Sequence, residues 1–289
     1  MKTRLLNLVL GMVAAFGLSS CIQSHTVLTV NKDGTATIEE NTVLGGMMAQ
    51  MLSGLGDAFG GKEGGAKAPV NPLMDRASYE ARAKKMGEGV KLTKLEEIKD
   101  PKGGLGVSAV YTVADINKLH MSMGTDIPDA VKGMAPDIEE KIEKAGKDEN
   151  PVTFSLKDGE LTINLPQPEP DPTAAKANKE LEGLEPELNL GPEQQQQMAM
   201  AKMMLQDMAM SLTVKVNGEI SKTNATHSKG NEVTLFSMKF ADVLKDPNAF
   251  TKLAMMGDDL QDEDKAMEMM KNLPGVQVET QKKVSISIK

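Results

Sequence analysis

The chain has 289 residues, 40% hydrophobic and 26% charged, with a formal charge of −8; that balance suits a globular body and argues against a wholly disordered one. Aromatic residues make up only 3%, Trp is absent and Met reaches 22, so flexible thioethers stand where rings usually fill space, giving a more deformable core or contact surface. An acidic chain with no run of Lys and Arg, and almost no rings to stack bases on, excludes nucleic acid as a partner.

Met1-Lys2-Thr3-Arg4 is a short basic start, and residues 5–17 are apolar apart from Asn7. Together they match a secretory signal peptide over residues 1–20 and are too short for a transmembrane helix. Leu18-Ser19-Ser20-Cys21 resembles the lipobox of bacterial lipoproteins: a branched apolar residue, two small residues, then Cys. The resemblance implies a thioether-linked diacylglycerol on Cys21, cleavage before Cys21 and acylation, for example by palmitate, of the freed amino group. Small side chains admit the peptidase, and a thiol is the nucleophile the thioether needs. The competing reading is an ordinary cleavable signal followed by an incidental buried Cys. Cys21 is the only cysteine, so no intramolecular disulfide forms. Each buried acyl methylene contributes roughly 0.8 kcal/mol, and two or more chains anchor stably. No later segment offers the 18 or so uninterrupted apolar residues of a membrane span. Ile22, where an Asp would signal inner-membrane retention, resembles outer-membrane sorting in a host with two membranes. The expected location is the cell envelope, on the periplasmic face of that outer membrane. Loss of Lys2 and Arg4 lowers the 33 basic residues by two against 41 acidic ones, leaving a net of −10.

The rest, residues 21–289, reads as one α+β domain: a curved antiparallel sheet built from hairpins, with packed helices. Thr26-Val27-Leu28-Thr29-Val30 and Thr35-Ala36-Thr37-Ile38-Glu39 flank the turn Asn31-Lys32-Asp33-Gly34, with Gly where φ > 0 is needed. Residues 45–65 hold eight glycines, a Gly- and Met-rich loop or poorly formed helix. Asn71-Pro72 predicts an N-cap with proline at the first helical position, opening a helix that ends at Gly87. Strands are predicted over 90–96 and 107–113, and a charged helix over 136–147. A second hairpin turns at Lys157-Asp158-Gly159 between residues 152–156 and 160–165. Residues 166–172 alternate Pro with polar residues, a polyproline-II connection. A long Met-rich helix is predicted over 194–211. A third hairpin is predicted from 212–216 through Asn217-Gly218 into 219–223, followed by a strand over 232–236. Asp246-Pro247 repeats the helix start before 250–256, Asp262 caps a helix through Asn272, and Pro274-Gly275 stops it. Alternation over 276–288 predicts the last strand. Such alternation implies one buried and one wet face, hence antiparallel pairing.

Cys21, the hairpin at Lys32-Asp33-Gly34-Thr35 and the segment Asn217-Gly218-Glu219-Ile220-Ser221-Lys222-Thr223-Asn224-Ala225 resemble the LppM-type lipoprotein domain. That family has no assigned catalytic activity. The shared features are turns and strands; they identify no catalytic, cofactor or metal residue, and the Met- and Gly-rich insertions and the proline connection depart from the pattern.

Catalytic motifs do not assemble. His25, His120 and His227 have no zinc spacing, and no G-x-S-x-G elbow, P-loop or S-x-x-K occurs. The glycines at 54 and 56, and those at 103, 104 and 106, lack the strand–turn–helix context of a dinucleotide site. Asp258-Asp259-Leu260-Gln261-Asp262-Glu263-Asp264 lacks the central Gly and terminal Glu of an EF-hand and reads as an acidic helix start. Asn224-Ala225-Thr226 is a sequon by chance in a bacterial host. The sharp feature is residues 198–210, where Met198, Met200, Met203, Met204, Met208 and Met210 crowd 13 residues. Thioethers suit Cu(I), which gives an envelope copper-binding alternative. At 100° per residue the six fan around a helix rather than converge, which favours a core helix or a deformable groove for an apolar ligand or envelope protein. The resulting expectation is a non-enzymatic binding or scaffolding module with no cofactor, held to the membrane through Cys21. Cu(I) binding is one alternative; a hydrolase with dispersed catalytic residues is another.

Overall fold

The computed structural model describes residues 22–46, 49, 71–101, 103–122, 151–165, 202, 205–246 and 273–289. The chain divides into two compact units. The larger spans Cys21–Pro166, Ala209–Met238 and Gln277–Lys289; the described residues of the smaller lie within Gln167–Met208 and Lys239–Val276.

The larger unit is dominated by two sheets, where the sequence pattern predicted one. Hairpin alternation shows which residues share a face but not which sheet a strand joins. The first sheet contains β1 (Ile22–Val30), β2 (Ala36–Leu44), β3 (Val90–Lys99), β4 (Leu105–Val113), β8 (Ala209–Val216), β10 (Ser228–Lys229) and β11 (Glu232–Lys239), in the order β10-β11-β8-β1-β2-β4-β3, with β12 (Val276–Val278) added on β11. The second contains β5 (His120–Met121), β6 (Val152–Lys157), β7 (Glu160–Asn164), β9 (Ile220–Thr223) and β13 (Lys283–Ile288), in the order β5-β6-β7-β13-β9. The second sheet is antiparallel throughout. The first departs from antiparallel pairing where β1 runs parallel to β8, Gln23 opposite Ala209 through Val30 opposite Val216.

Two predicted hairpins form. The first turns at Asn31-Lys32-Asp33-Gly34: Gly34 adopts φ 86° and donates to the Asn31 carbonyl at 3.1 Å, and Asn31 N–H donates to the Thr35 carbonyl at 2.9 Å. The strands run on to Ile22 and Leu44, beyond the limits the sequence suggested. The second uses a two-residue loop, Asp158 at φ 51° and Gly159 at φ 79°, the paired positive values of a turn whose twist matches that of the strands it joins.

The third predicted hairpin does not form. Asn217-Gly218 carries the chain from β8 in the first sheet to β9 in the second. β8 finds β1 and β11, β9 finds β13, and nothing pairs them with each other. Gly218 is held by close approach, since a Cβ there would lie 2.8 Å from the Lys289 carbonyl oxygen. Asn217 continues the β1 edge instead, its N–H donating to the Val30 carbonyl at 2.8 Å. The predicted C-terminal strand is likewise two, β12 and β13, in different sheets.

Asn71-Pro72 opens a single 3-10 turn, Pro72–Met74, rather than the helix itself. The helix, α1 (Arg76–Met86), has its own cap: the Asp75 carboxylate accepts from Ala77 N–H at 3.1 Å and from the Ser78 hydroxyl. It ends at Gly87, as expected, where any side chain would collide with the Lys118 carbonyl oxygen. Tyr79, Ala83 and Met86, at helical spacing, form its buried face.

The core of the larger unit is aliphatic and β-branched. Leu28, Val30, Ile38, Val107, Val113, Val214, Val216, Val233 and Leu235 fill the first sheet; Val152, Phe154, Leu161, Ile163, Val284 and Ile286 fill the second. Among the described residues Met contributes only Met86 and Met121 to the buried positions of this unit, and Met208 to those of the smaller; most methionines lie outside the described residues. In the smaller unit, α2 (Phe240–Val243) buries Phe240 and Val243, and Phe240 N–H donates to the Met208 carbonyl at 3.0 Å.

The predicted helices over 136–147, 250–256 and 262–272 and the proline connection over 166–172 lie outside the described residues, as does nearly all of the 45–65 loop.

Candidate functional site

The β1–β2 turn, the segment after β4 and the β6–β7 turn meet around a polar cleft of about 410 Å³, lined by Lys32, Asp33, Gly34, Ala114, Asp115, Asn117, Leu156, Asp158 and Gly159. The Gly34 carbonyl accepts from Ile116 N–H at 2.8 Å, and Asn117 Oδ1 accepts from Leu156 N–H at 2.8 Å, so loops of both sheets are fastened to each other. Its acids serve those turns. Asp33 accepts from the Thr35 hydroxyl at 2.7 Å and the Thr35 N–H at 2.9 Å, which holds its carboxyl below the usual range. Asp115 is lowered likewise by the backbone N–H and then the side-chain amide of Asn117. Both carboxylates therefore stay ionised at neutral pH. The volume suits a small polar molecule, but ligand pockets are mostly apolar with a few converging polar groups, and this lining is the reverse.

A second polar assembly lies beneath α1. Glu40 on β2 has the parity of Ala36 and Ile38 and points into the core, 5% exposed. Arg82 reaches it from α1, Nη1 to Oε2 at 3.0 Å. Both tyrosines of the chain join them: Tyr79 from the same helix face and Tyr111 from β4, opposite Ile38. Burial pushes the Tyr79 phenol up to about 12, with the Glu40 charge as the next contribution. Tyr111 is raised further by the same two causes in the same order. Such phenols stay protonated at neutral pH rather than act as bases. The cluster pins helix to sheet.

A third group is the buried carboxylate of Glu279, 3% exposed, just after β12. Its Oε1 accepts from the Thr226 hydroxyl at 2.7 Å and from the N–H groups of Thr280 and Gln281 at 2.8 and 2.9 Å; its Oε2 accepts from Thr226 N–H at 2.7 Å. The adjoining Asn224 donates to the Lys283 carbonyl at 2.9 Å and accepts from Ser285 N–H at 2.7 Å, prolonging the β9–β13 pairing with a side chain. The Thr223-Asn224-Ala225 segment singled out in the sequence thus has a structural task.

The histidines do not converge on the cleft. His120 is exposed on β5 and His227 is half-buried before β10. His25 on β1 bonds Ser211 on β8, Nδ1 to Oγ at 2.9 Å. A Ser–His contact is the first element of an activated nucleophile. Here it sits within a strand ladder, where the backbone of β1 pairs with β2 on one side and β8 on the other.

Of the helix predicted over 194–211, only residues 202 and 205–211 are described, and its predicted end is not helical. Gln206 N–H closes a helical turn on the Lys202 carbonyl at 3.1 Å, and residues 209–211 are already strand, claimed by pairing with β1. Met208 is buried beyond that turn and Met210 lies in β8, so the six thioethers do not share one helix. Met198, Met200, Met203 and Met204 lie outside the described residues, as does Cys21. Among the described residues no three His, Cys, Asp or Glu side chains gather as a metal site. Among them, too, no helix is long and apolar enough to cross a membrane.

Sequence reading missed Glu40 and Glu279. For Glu40 a signal existed: strand parity sets it with Ile38, and Tyr79 and Arg82 are one helical turn apart. For Glu279 there was none, because two of its four bonds come from Thr226, in a loop more than fifty residues earlier.

No protein-family model matches the chain, and no curated protein matches it. Among solved structures, one similar chain is the folded domain of LppM from Mycobacterium tuberculosis, determined by NMR: 9% identity and a TM-score of 0.31, over 76% of this chain and 84% of that one. That is a distant likeness, and the functional reading rests on this chain's own residues.

Proposed function

We propose that the chain is a lipid-anchored cell-envelope lipoprotein: residues 1–20 are removed as a signal peptide, Cys21 carries the lipid, and the folded part is a non-enzymatic binding or scaffolding module. In a host with two membranes it stands on the periplasmic face of the outer membrane. The observation that carries this reading is the junction at Cys21. A basic start, an apolar stretch and Leu18-Ser19-Ser20-Cys21 stand in register. The residue after Cys21, Ile22, is the first of β1, so the proposed cleavage site coincides with the start of a folded unit. The arrangement of the polar groups agrees with a non-enzymatic role: Asp33, Asp115, Glu40 and Glu279 are engaged in turns, an ion pair and a loop clamp.

The test is Cys21→Ser, which replaces sulfur with an oxygen too weakly nucleophilic for the thioether. The native protein is expected to sediment with membranes and incorporate labelled palmitate, and the variant to do neither. Palmitate incorporation by the variant, or sedimentation undiminished, refutes the assignment.

A further inference from the structure

We infer that the Ile22 end of the first sheet rests against the bilayer and that the Asp33–Asp115–Asp158 loop cluster is presented away from it; this rests on lipidation at Cys21, and adds to it an orientation. β1 starts at Ile22, one residue from the proposed lipid, and lies inside the sheet with β8 on one side and β2 on the other. No spacer intervenes, so the end of β1 stays within a residue's length of the headgroups. The register then sorts every neighbour. Ile22 stands opposite Leu44, Leu44 opposite Leu105, and Leu105 opposite Lys99, while Gln23 stands opposite Ala209. These residues form the near end. At the other end Val30 stands opposite Ala36, Ala36 opposite Val113, and Val113 opposite Val90, and the turn at Lys32-Asp33-Gly34 closes it. The nine residues of β1, at roughly 3.3 Å per residue, separate the two ends by about 25 Å.

A tether at one point also allows the sheet to lie flat, which would bring both ends to the surface. Charge opposes this. The far end carries Asp33, Asp115 and Asp158 around the cleft and Glu88 beside it, against Lys32 in the cleft lining, Lys118 paired to Glu88 at 2.9 Å and Lys157 exposed beside Asp158, which leaves these residues with an excess of one acid. Hydrogen bonds from Thr35, Asn117 and Lys118 keep Asp33, Asp115 and Glu88 ionised. Within a Debye length of about 8–10 Å, such an end is repelled by anionic lipid. The near end has Lys99 exposed on the outermost strand, followed by the half-buried Asp100, whose carboxylate is engaged by the Gly104 N–H. The sheet therefore stands with the cleft facing the aqueous side, where a soluble ligand or envelope partner can reach it.

The single cysteine makes the test direct, because a lipidated Cys21 leaves any introduced cysteine as the only free thiol. Lys99→Cys and Lys32→Cys, both at exposed positions, are each labelled with a fluorophore in the full lipidated protein. The proteins are reconstituted into vesicles of phosphatidylethanolamine and phosphatidylglycerol that contain a headgroup-attached quencher. Co-flotation with the vesicles is measured first, since its failure refutes the anchor itself. With flotation established, quenching at Lys99→Cys is expected to exceed that at Lys32→Cys several-fold. Equal quenching at the two positions, or the reverse order, overturns the orientation while leaving the anchor intact.

Discussion

The larger unit buries two carboxylates by opposite means. Glu40 is matched by charge: a guanidinium 3.0 Å away and two phenols, brought by a helix and a strand distant in sequence. Glu279 is matched by geometry: four hydrogen bonds, two from N–H groups of the next two residues and two from Thr226. Taking a carboxylate out of water is expensive either way. The first solution ties the stability of a helix–sheet contact to a cation. The second needs no counter-charge and fixes a loop.

The comparison breaks most visibly at Arg82. Arg82→Met leaves Glu40 buried without its cation, and urea unfolding is expected to show a loss of about 3 kcal/mol. Adding Glu40→Leu should restore most of it, because an ion pair replaced whole by apolar groups costs little. A double variant no better than the single one would mean that Arg82 acts by packing, not charge. Glu279→Gln keeps size but turns one acceptor into a donor facing N–H or O–H groups; a loss of about 2 kcal/mol is expected from the unsatisfied contacts. That loss should be insensitive to added salt. Asn224→Ala removes two bonds beside β13 from an exposed side chain and should cost about 1 kcal/mol by the same measurement.

An alkaline titration sharpens the comparison spectroscopically. The only tyrosines are those of the Glu40 cluster, so phenolate absorbance reports on it alone. Tyr79, pushed up to about 12, stays protonated in the folded chain where an unfolded one ionises near 10.0. The folded state then holds more protons than the unfolded one above that lower value, and stability falls as pH rises. Phenolate should appear late, together with unfolding. Absorbance rising near pH 10 in a still-folded chain would contradict the buried cluster.

Local chemistry was readable and partner choice was not. The turns at Gly34 and at Asp158-Gly159 were legible because positive φ has a sequence signature. Asn217-Gly218 has the same signature yet joins different sheets, since what decides is whether the flanking strands find each other or find β1 and β13. Asn71-Pro72 marked a helix start one turn too early, because Asn71 is buried and spends its amide on the Gly106 carbonyl at 3.1 Å while its carbonyl caps the 3-10 turn. Strand parity with Ile38 was an unused signal for Glu40, but which cation met it depended on where α1 docked. The cleft gathers three loops from separate stretches of chain, so no single segment announces it.

The parallel contact of β1 with β8 has a consequence in time. Residues 23–30 are among the first of the folded part to be synthesised, yet their partners are 209–216, and β13, inside the other sheet, ends at Ile288. Until residues 209–216 exist, the opening hairpin must wait with one flank unpaired, and closing so long a loop is slow. The first sheet lacks β12 until residues 276–278 are made and the second lacks β13 until residues 283–288 are, which leaves the early strands in need of protection from aggregation until then.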